Sequence, residues 1–481
     1  MHQVTSPAAD LSTLQDGLAG EVLRPGTAAY EAARRPPIGR FHHVRPHAIA
    51  RCATPADVAE AIAYARRCGL RLAVRAGGHC FAGRSSTDGL LIDVGPMRSV
   101  VVGDGLAVVG AGARLGDLYD ALDAHGRTIA AGCGPTVGIA GLVLGGGLGI
   151  LGRRHGLTSD QLVAARVVPA DGPVVDCDER RDPDLFWALR GAGGCQFGVL
   201  VELTFRTVTA PAATTLHVEW PHRDGTAVVE AWQAWAPDAP DELAASLLVT
   251  AGADPAEPPR VHVFGALIGT PEEATALLGE LAARAGVEPT SVELHGLPYR
   301  QAKRRLAEHA PGEQAGADAH GFSKSEFFRG PLPTQAVAAL LDHLAAARTP
   351  GEQRVLDFSP WGGAYNRVPA GGTAFAHRAE RLLLKHDVVV AADADDAARR
   401  TARDWLARSW ALVHPWASGR VYPNFPDPDL DDWPTAYHAE NFDRLTRVKA
   451  AYDPDDVFRS PQSLAPRAIK AAGGPAAAAT P

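Results

Sequence analysis

The sequence predicts an α+β fold in two packed regions, the second built on an antiparallel sheet. Three observations lead there. The chain has 481 residues, too many for one simple hydrophobic core. Short strands and helices are interleaved around two dense glycine runs in roughly its first 210 residues. Beyond that point strands alternate with helices, the texture of an antiparallel sheet carrying helices.

Taken in order, residues 1–37 are polar and proline-dotted, which predicts a loosely packed arm over 1–40 and order from about Phe41. Thr54-Pro55-Ala56-Asp57 is a helix start: a Thr N-cap, Pro in the first turn and a carboxylate at the third position. That helix runs to about Cys68, where Gly69 ends it. A strand over 70–74 leads into the small-residue loop Ala76-Gly77-Gly78-His79. Strands are expected at 90–94 and 107–110 and a helix at 115–124. A glycine-rich run fills 132–152. The hairpin over 163–175 turns at Asp171-Gly172. A short helix at 184–190 and a strand at 197–208 close this region. Further on, strands are expected at 215–220, 243–250, 261–268, 322–328, 354–359 and 381–390. Helices are expected at 226–235, 272–285, 334–346, 393–413 and 437–450. The low-complexity end predicts a disordered tail over 466–481.

Composition removes several function classes. Apolar residues make up 46% and charged residues 21%, ordinary for a soluble protein. A net charge of −8 without a basic stripe argues against nucleic-acid binding. There is no secretory signal and no apolar run of about 20 residues, so a cytoplasmic protein without a membrane partner is expected. The six cysteines, Cys52, Cys68, Cys80, Cys133, Cys177 and Cys195, form no Cys-x-x-Cys pair. That spacing suggests neither a metal site nor a disulfide scaffold. Oligomeric state is not readable.

Two glycine runs carry the chemistry. Gly147, Gly149 and Gly152 spell G-x-G-x-x-G, but a nicotinamide-binding turn should open a long helix. Here only a turn or two precedes the Asp-Gly hairpin. The better reading is that the loops at 76–83 and 132–149 cradle one large, flat, phosphorylated cofactor. Glycine lets backbone N–H groups approach phosphate oxygens closely, and FAD has the right size. His79, following two glycines at a strand exit, is presented from such a loop, and imidazole is a competent nucleophile.

Arg75-Ala76-Gly77-Gly78-His79, with Gly83-Arg84-Ser85-Ser86 after it, resembles the flavin-attachment loop of the berberine bridge enzyme-like family, flavoproteins of the vanillyl-alcohol-oxidase type. Pro135-Thr136-Val137-Gly138 through Gly149 resembles its second flavin loop. Arg154-His155-Gly156-Leu157-Thr158-Ser159-Asp160, Asp184 to Gly191, Tyr422-Pro423-Asn424 and Tyr452-Asp453-Pro454 through Ser463 follow in family order. The resemblance implies a PCMH-type FAD-binding fold built from 41–210 and 415–465, with an antiparallel-sheet substrate domain over 211–414. It implies FAD bonded through its 8α-methyl carbon to His79. The cofactor-binding positions it implies are Arg75, Ala76, Gly77, Gly78, His79, Gly132, Cys133, Thr136, Val137, Gly138, Gly141, Gly146, Gly147, Val201, Tyr422 and Asn424.

Many family members add a second flavin bond from a Cys directly before Pro-Thr-Val-Gly. Here that position is Gly134, and Cys133 lies one residue earlier. Either a bulge delivers Cys133 to the flavin, or His79 is the single tether. Gln196 stands where relatives usually carry Asn. The implied reaction removes a hydride from a substrate carbon, a sugar-like alcohol or secondary metabolite. Tyr422 is the expected base, or else a packing aromatic. A phenol with pKa near 10 needs a cationic or hydrogen-bonding neighbour for that task. Asp357 or Ser359 is expected to supply a second polar group, and Trp361, Tyr365 and Phe375 are candidate pocket walls or core. Val137, where dehydrogenases carry bulkier Leu, points to an oxidase using O2 and releasing H2O2. The alternatives are a dehydrogenase or oxidative cyclase that does not use O2, or a flavin-fold protein that only binds.

Overall fold

A computed structural model describes residues 10–308 and 318–466; from residue 467 on, the expected tail lies outside these. The N-terminal sheet comprises β1 (Glu21–Leu23), β2 (Ala48–Arg51), β3 (Leu72–Arg75) and β4 (Leu90–Asp93), in the order β1-β2-β4-β3. Both β2 and β3 run parallel to β4. The helix α1 (Leu11–Asp16) precedes β1, α2 (Ala28–Arg34) follows it, and α3 (Pro55–Arg67) makes the crossover from β2 to β3. Thr54 caps α3 as the sequence predicts, its hydroxyl accepting from Asp57 N.

From residue 10 on, the arm is not loose. The buried Asp57 carboxylate accepts from Ala19 N at 3.0 Å, Gly20 N at 2.9 Å and Ala53 N at 2.8 Å. These bonds deliver β1 to the edge of β2, where it pairs antiparallel. The tie escaped sequence reading because Asp57 had already been accounted for as a first-turn residue.

A second sheet comprises β5 (Val100–Gly103), β6 (Leu106–Gly110), β8 (Leu162–Val168), β9 (Val175–Asp178) and β10 (Val199–Arg206), in the order β5-β6-β10-β8-β9. The short β7 (Arg127–Thr128) pairs with β11 (Val208–Thr209). Four helices lie along this stretch: α4 (Leu115–Asp123), α5 (Ile139–Leu144), α6 (Gly152–His155) and α7 (Pro183–Leu189). The four-residue α6 after Gly152 agrees with the rejection of a nicotinamide-binding turn.

The third layer is a seven-stranded sheet. It contains β12 (Ala212–Pro221), β13 (Leu243–Ala251), β14 (Arg260–Leu267), β15 (Ser291–Pro298), β16 (His320–Phe328), β17 (Gln353–Pro360) and β18 (Leu382–Val390). Their order is β15-β12-β14-β13-β17-β18-β16, with each strand antiparallel to its neighbours. Helices α8 (Gly225–Trp235), α9 (Pro271–Ala285), α10 (Tyr299–Glu308), α11 (Thr334–Ala345), α12 (Ala364–Arg367) and α13 (Asp396–Val413) alternate with the strands.

Two large cores result. One gathers side chains from Leu14 to Phe205 together with Leu445, Val448, Phe458 and Leu464. The other runs from Leu216 to Val413, between the seven-stranded sheet and its helices. The predicted helix over 437–450 is broken into α14 (Trp433–His438) and α15 (Phe442–Tyr452). Ala439 takes φ +50° at the break. Asn441 is held there by the carbonyls of Ala370, Thr373 and Ala374.

Candidate flavin and substrate site

The loop carrying His79 leaves the carboxyl end of the parallel strand β3, the end at which ligands bind in open α/β sheets. Arg75 braces it from behind. Its guanidinium donates to the carbonyls of Ala33, Arg34 and Ser85 and to Ser86 Oγ, so its side-chain donors serve the protein itself. Gly78 has φ +79°, and a Cβ there would lie 2.9 Å from Pro37 Cδ; only glycine suits both demands. Arg40 donates to the carbonyls of Phe81 and Gly321, joining this loop to β16. His79 shares a 2.9 Å hydrogen bond between its Nε2 and Thr136 Oγ1. Burial, reinforced by the Arg114 cation, lowers its pKa and favours the neutral imidazole.

Thr136 belongs to the other glycine loop, so the two runs meet. A Cβ on Gly77 would fall 2.2 Å from Gly138 N, and one on Gly138 would fall 2.4 Å from Gly77 N and 3.0 Å from the Ala76 methyl. The same loop is also fixed to α4: Leu115 N donates to Val137 O and Gly116 N to Pro135 O, each at 2.9 Å. At the start of α5, Gly141 is exposed, and a Cβ on it would meet nothing within 4 Å. Gly146 and Gly147 take φ +110° and +92°. Close backbone contact with open glycine surface beside it is what a long phosphorylated cofactor requires, so these residues fit FAD.

The C-terminal Tyr-x-Asn element closes on the same loop. Tyr422 Oη accepts from Gly147 N at 2.9 Å and from Asn424 Nδ2 at 3.1 Å. Asn424 Nδ2 also donates to Leu142 O at 2.8 Å. Neither partner of Tyr422 is a cation, and burial pushes its pKa up to about 12 against the pull of these donors. Trp361, Tyr365 and Phe375 are all buried, and each packs against Tyr422 or its neighbours. They plug the space beneath the glycine loop, where Phe375 abuts Gly146 and Tyr365 abuts Gly152; the core reading, not the pocket-wall reading, describes them. Val201 is likewise a core residue: it sits at an irregularity in β10 and accepts from Ala111 N. Arg378 makes a bidentate pair with Asp160 at 2.7 and 2.8 Å. Gln196 donates to Ala192 O and accepts from Leu464 N.

Sequence reading left Asp357 and Ser359 unresolved; both lie on the same face of β17. Leu356 and Phe358 enter the helix-side core, which turns Asp357 and Ser359 to the other side. There Ser359 Oγ donates to Asp357 Oδ1 and shares a bond with Ser246 Oγ, each at 3.3 Å. Lys385 stands opposite Asp357 in the register and pairs with Asp387 at 2.8 Å. Its ammonium lies 4.9 Å from the ring centres of both Phe81 and Phe425. Phe81 follows His79 by two residues and Phe425 follows Asn424, so this polar face adjoins the glycine loops. Burial raises the Asp357 pKa to about 6 despite the opposing Lys385 charge. Lys385, Asp387 and Ser246 were missed because period-two spacing becomes a face only once the strand register is known. Among the described residues, no group of His, Cys, Asp and Glu side chains could hold a metal ion, and no helix is long and apolar enough to cross a membrane.

Comparison with known proteins agrees with this geometry. Residues 46–178 match the FAD binding domain family and residues 421–465 the berberine and berberine-like family. The chain is 32% identical to the uncharacterized FAD-linked oxidoreductase YgaK of Bacillus subtilis, covering 88% of this chain and 91% of that protein. It is 31% identical to a chitooligosaccharide oxidase of Gibberella zeae, covering 88% of each. A solved chitooligosaccharide oxidase superposes with a TM-score of 0.84 at 26% identity, over 96% of this chain and 100% of the other. The Physcomitrella patens berberine bridge enzyme-like 1 structure gives 0.84 at 28%, over 95% and 99%. Two facing glycine loops, a C-terminal Tyr-x-Asn clasp and these matches lead to one conclusion: the chain belongs to the berberine bridge enzyme-like family of FAD-linked oxidoreductases.

Proposed function

We propose that the protein is an oxidase that carries FAD covalently on His79 and oxidises a sugar-like alcohol or hydroxylated secondary metabolite, passing electrons to O2. One observation carries this reading: His79–Thr136 and the facing backbones of Gly77 and Gly138 make one cradle from two glycine loops. In the proposal, residues 41–210 and 415–465 form the flavin domain and 211–414 the substrate domain. Bound FAD supplies hydride acceptance at flavin N5. Thr136 holds Nε2 of the neutral His79 ring, leaving Nδ1 to carry the attachment. Asp357, on the polar sheet face, takes the alcohol proton; with a pKa of about 6 it is ionised at neutral pH and still basic enough to accept it. Tyr422, the base expected from sequence, instead fixes the glycine loop to the C-terminal segment, since its phenol is pushed the wrong way for a base. The compact Val137 side chain beside this loop supports access for O2. Relatives named as oligosaccharide oxidases favour the sugar-like alcohol.

The test is anaerobic reduction of the purified yellow protein by an oligosaccharide or alcohol panel, followed by admission of air. An oxidase is bleached by its substrate, recovers its colour within seconds of air entry and releases H2O2. Bleaching without rapid recovery identifies a dehydrogenase or cyclase. No bleaching across a broad panel counts against turnover.

A further inference from the structure

We infer that Cys133 forms no flavin bond, and that Lys303 holds it away from the cofactor as a positioning residue for the second glycine loop. The inference rests on the covalent FAD reading above. Lys303 is 1% exposed and projects from α10 into the flavin-side core. Its Nζ donates to Ala131 O and Gly132 O, each at 2.7 Å, and to Cys133 Sγ at 3.4 Å. Three N–H groups thus meet three acceptors. The rings of Tyr119 and Tyr299 lie 4.6 and 5.9 Å from the same nitrogen, and Tyr119 Oη donates to Gly132 O. A buried ammonium satisfied this fully is costly to disturb. The partners of this cluster decide the matter. Tyr119 is on α4, the helix whose first residues bond Pro135 O and Val137 O. His79 and Gly77 meet the loop further along, at Thr136 and Gly138. Cys133 Sγ is thus turned to Lys303 of α10 and packs against the flavin-side core, while the flavin anchor meets the loop three residues on. The residue directly before Pro135, where a linking Cys would stand, is Gly134. Of the two alternatives left by the sequence, a single tether fits this geometry.

The test uses the holoenzyme and its Cys133→Ser, His79→Ala and Lys303→Met variants, acid-precipitated, digested and searched for flavopeptides by mass spectrometry. The expected result is one flavopeptide, containing His79, at equal yield in wild type and Cys133→Ser, and none in His79→Ala. A flavin on the Cys133 peptide in wild type or His79→Ala overturns the inference. If no sample yields a flavopeptide, the His79 reading fails separately, and native thiol labelling decides the role of Lys303. N-ethylmaleimide should modify Cys133 at least tenfold faster in Lys303→Met than in wild type, with Lys303→Arg in between. Equal rates overturn that role. Should Lys303→Met not fold, labelling of wild-type Cys133 as fast in the native as in the urea-unfolded protein has the same consequence.

Discussion

The two faces of the seven-stranded sheet are made by the same strands and do opposite work. On one face Leu356, Phe358, Leu384 and Val388 pack under helices in an apolar core. On the other, alternate residues of the same strands present Ser246, Asp357, Ser359, Lys385 and Asp387 beside the flavin loops. On the proposed function, the difference teaches that stability and chemistry are separated by one residue along a strand, because successive side chains leave a sheet on opposite sides. Substitutions at neighbouring positions should therefore fail in different ways.

The sharpest contrast is Asp357 against Phe358. Asp357→Asn should lower kcat/KM by about 10²- to 10⁴-fold, the usual worth of a general base, while the flavin content stays full; steady-state kinetics with any reducing substrate reads this. Phe358→Ala should leave the flavin spectrum intact but cost about 3–5 kcal/mol of stability, seen in urea unfolding. If Asp357→Asn is fully active, or Phe358→Ala is as stable as wild type, the division between faces is broken.

pH sharpens the same comparison. With a pKa near 6, the base form of Asp357 is present above that value, so activity should fall as pH drops through about 6. The sign for stability is opposite. A carboxyl whose folded pKa is raised holds its proton more tightly in the native state. Its contribution is full at low pH and is lost as pH rises through about 6. Asp357→Asn should thus raise Tm relative to wild type at pH 8 and match it near pH 4. Smaller effects follow. Val137→Leu should slow reoxidation by air several-fold with little change in anaerobic reduction. Ser246→Ala, which removes one 3.3 Å bond to Ser359, should cost about 1 kcal/mol or less.

The flavin half was legible because its constraints are local. Gly77-Gly78-His79 and Gly145-Gly146-Gly147 announce close backbone contact in the residues themselves, and Thr54-Pro55 announces a helix start. What stayed hidden depends on partners distant in the chain. Asp57 anchors Ala19 and Gly20, a tie across 38 and 37 residues without which the arm reads as loose. Arg75, Trp361, Phe375 and Val201 resemble site residues in their setting but spend their side chains on bracing and core. Lys303 sits in Tyr299-Arg300-Gln301-Ala302-Lys303-Arg304-Arg305, which reads as a solvated charge run; only the packing of α10 shows one of those charges buried. The proposed base is Asp357 and not Tyr422 for the same reason, since the environment of each becomes known only with the strand register and the aromatic cluster in place.

The central claim is that the two glycine loops form a single site with His79 as the flavin anchor. Intact-protein mass under denaturing conditions tests it. The account predicts a wild-type mass greater than the polypeptide by one FAD and a His79→Ala mass equal to the bare chain. A wild-type mass equal to the bare chain, or an FAD adduct that persists in His79→Ala, would contradict it.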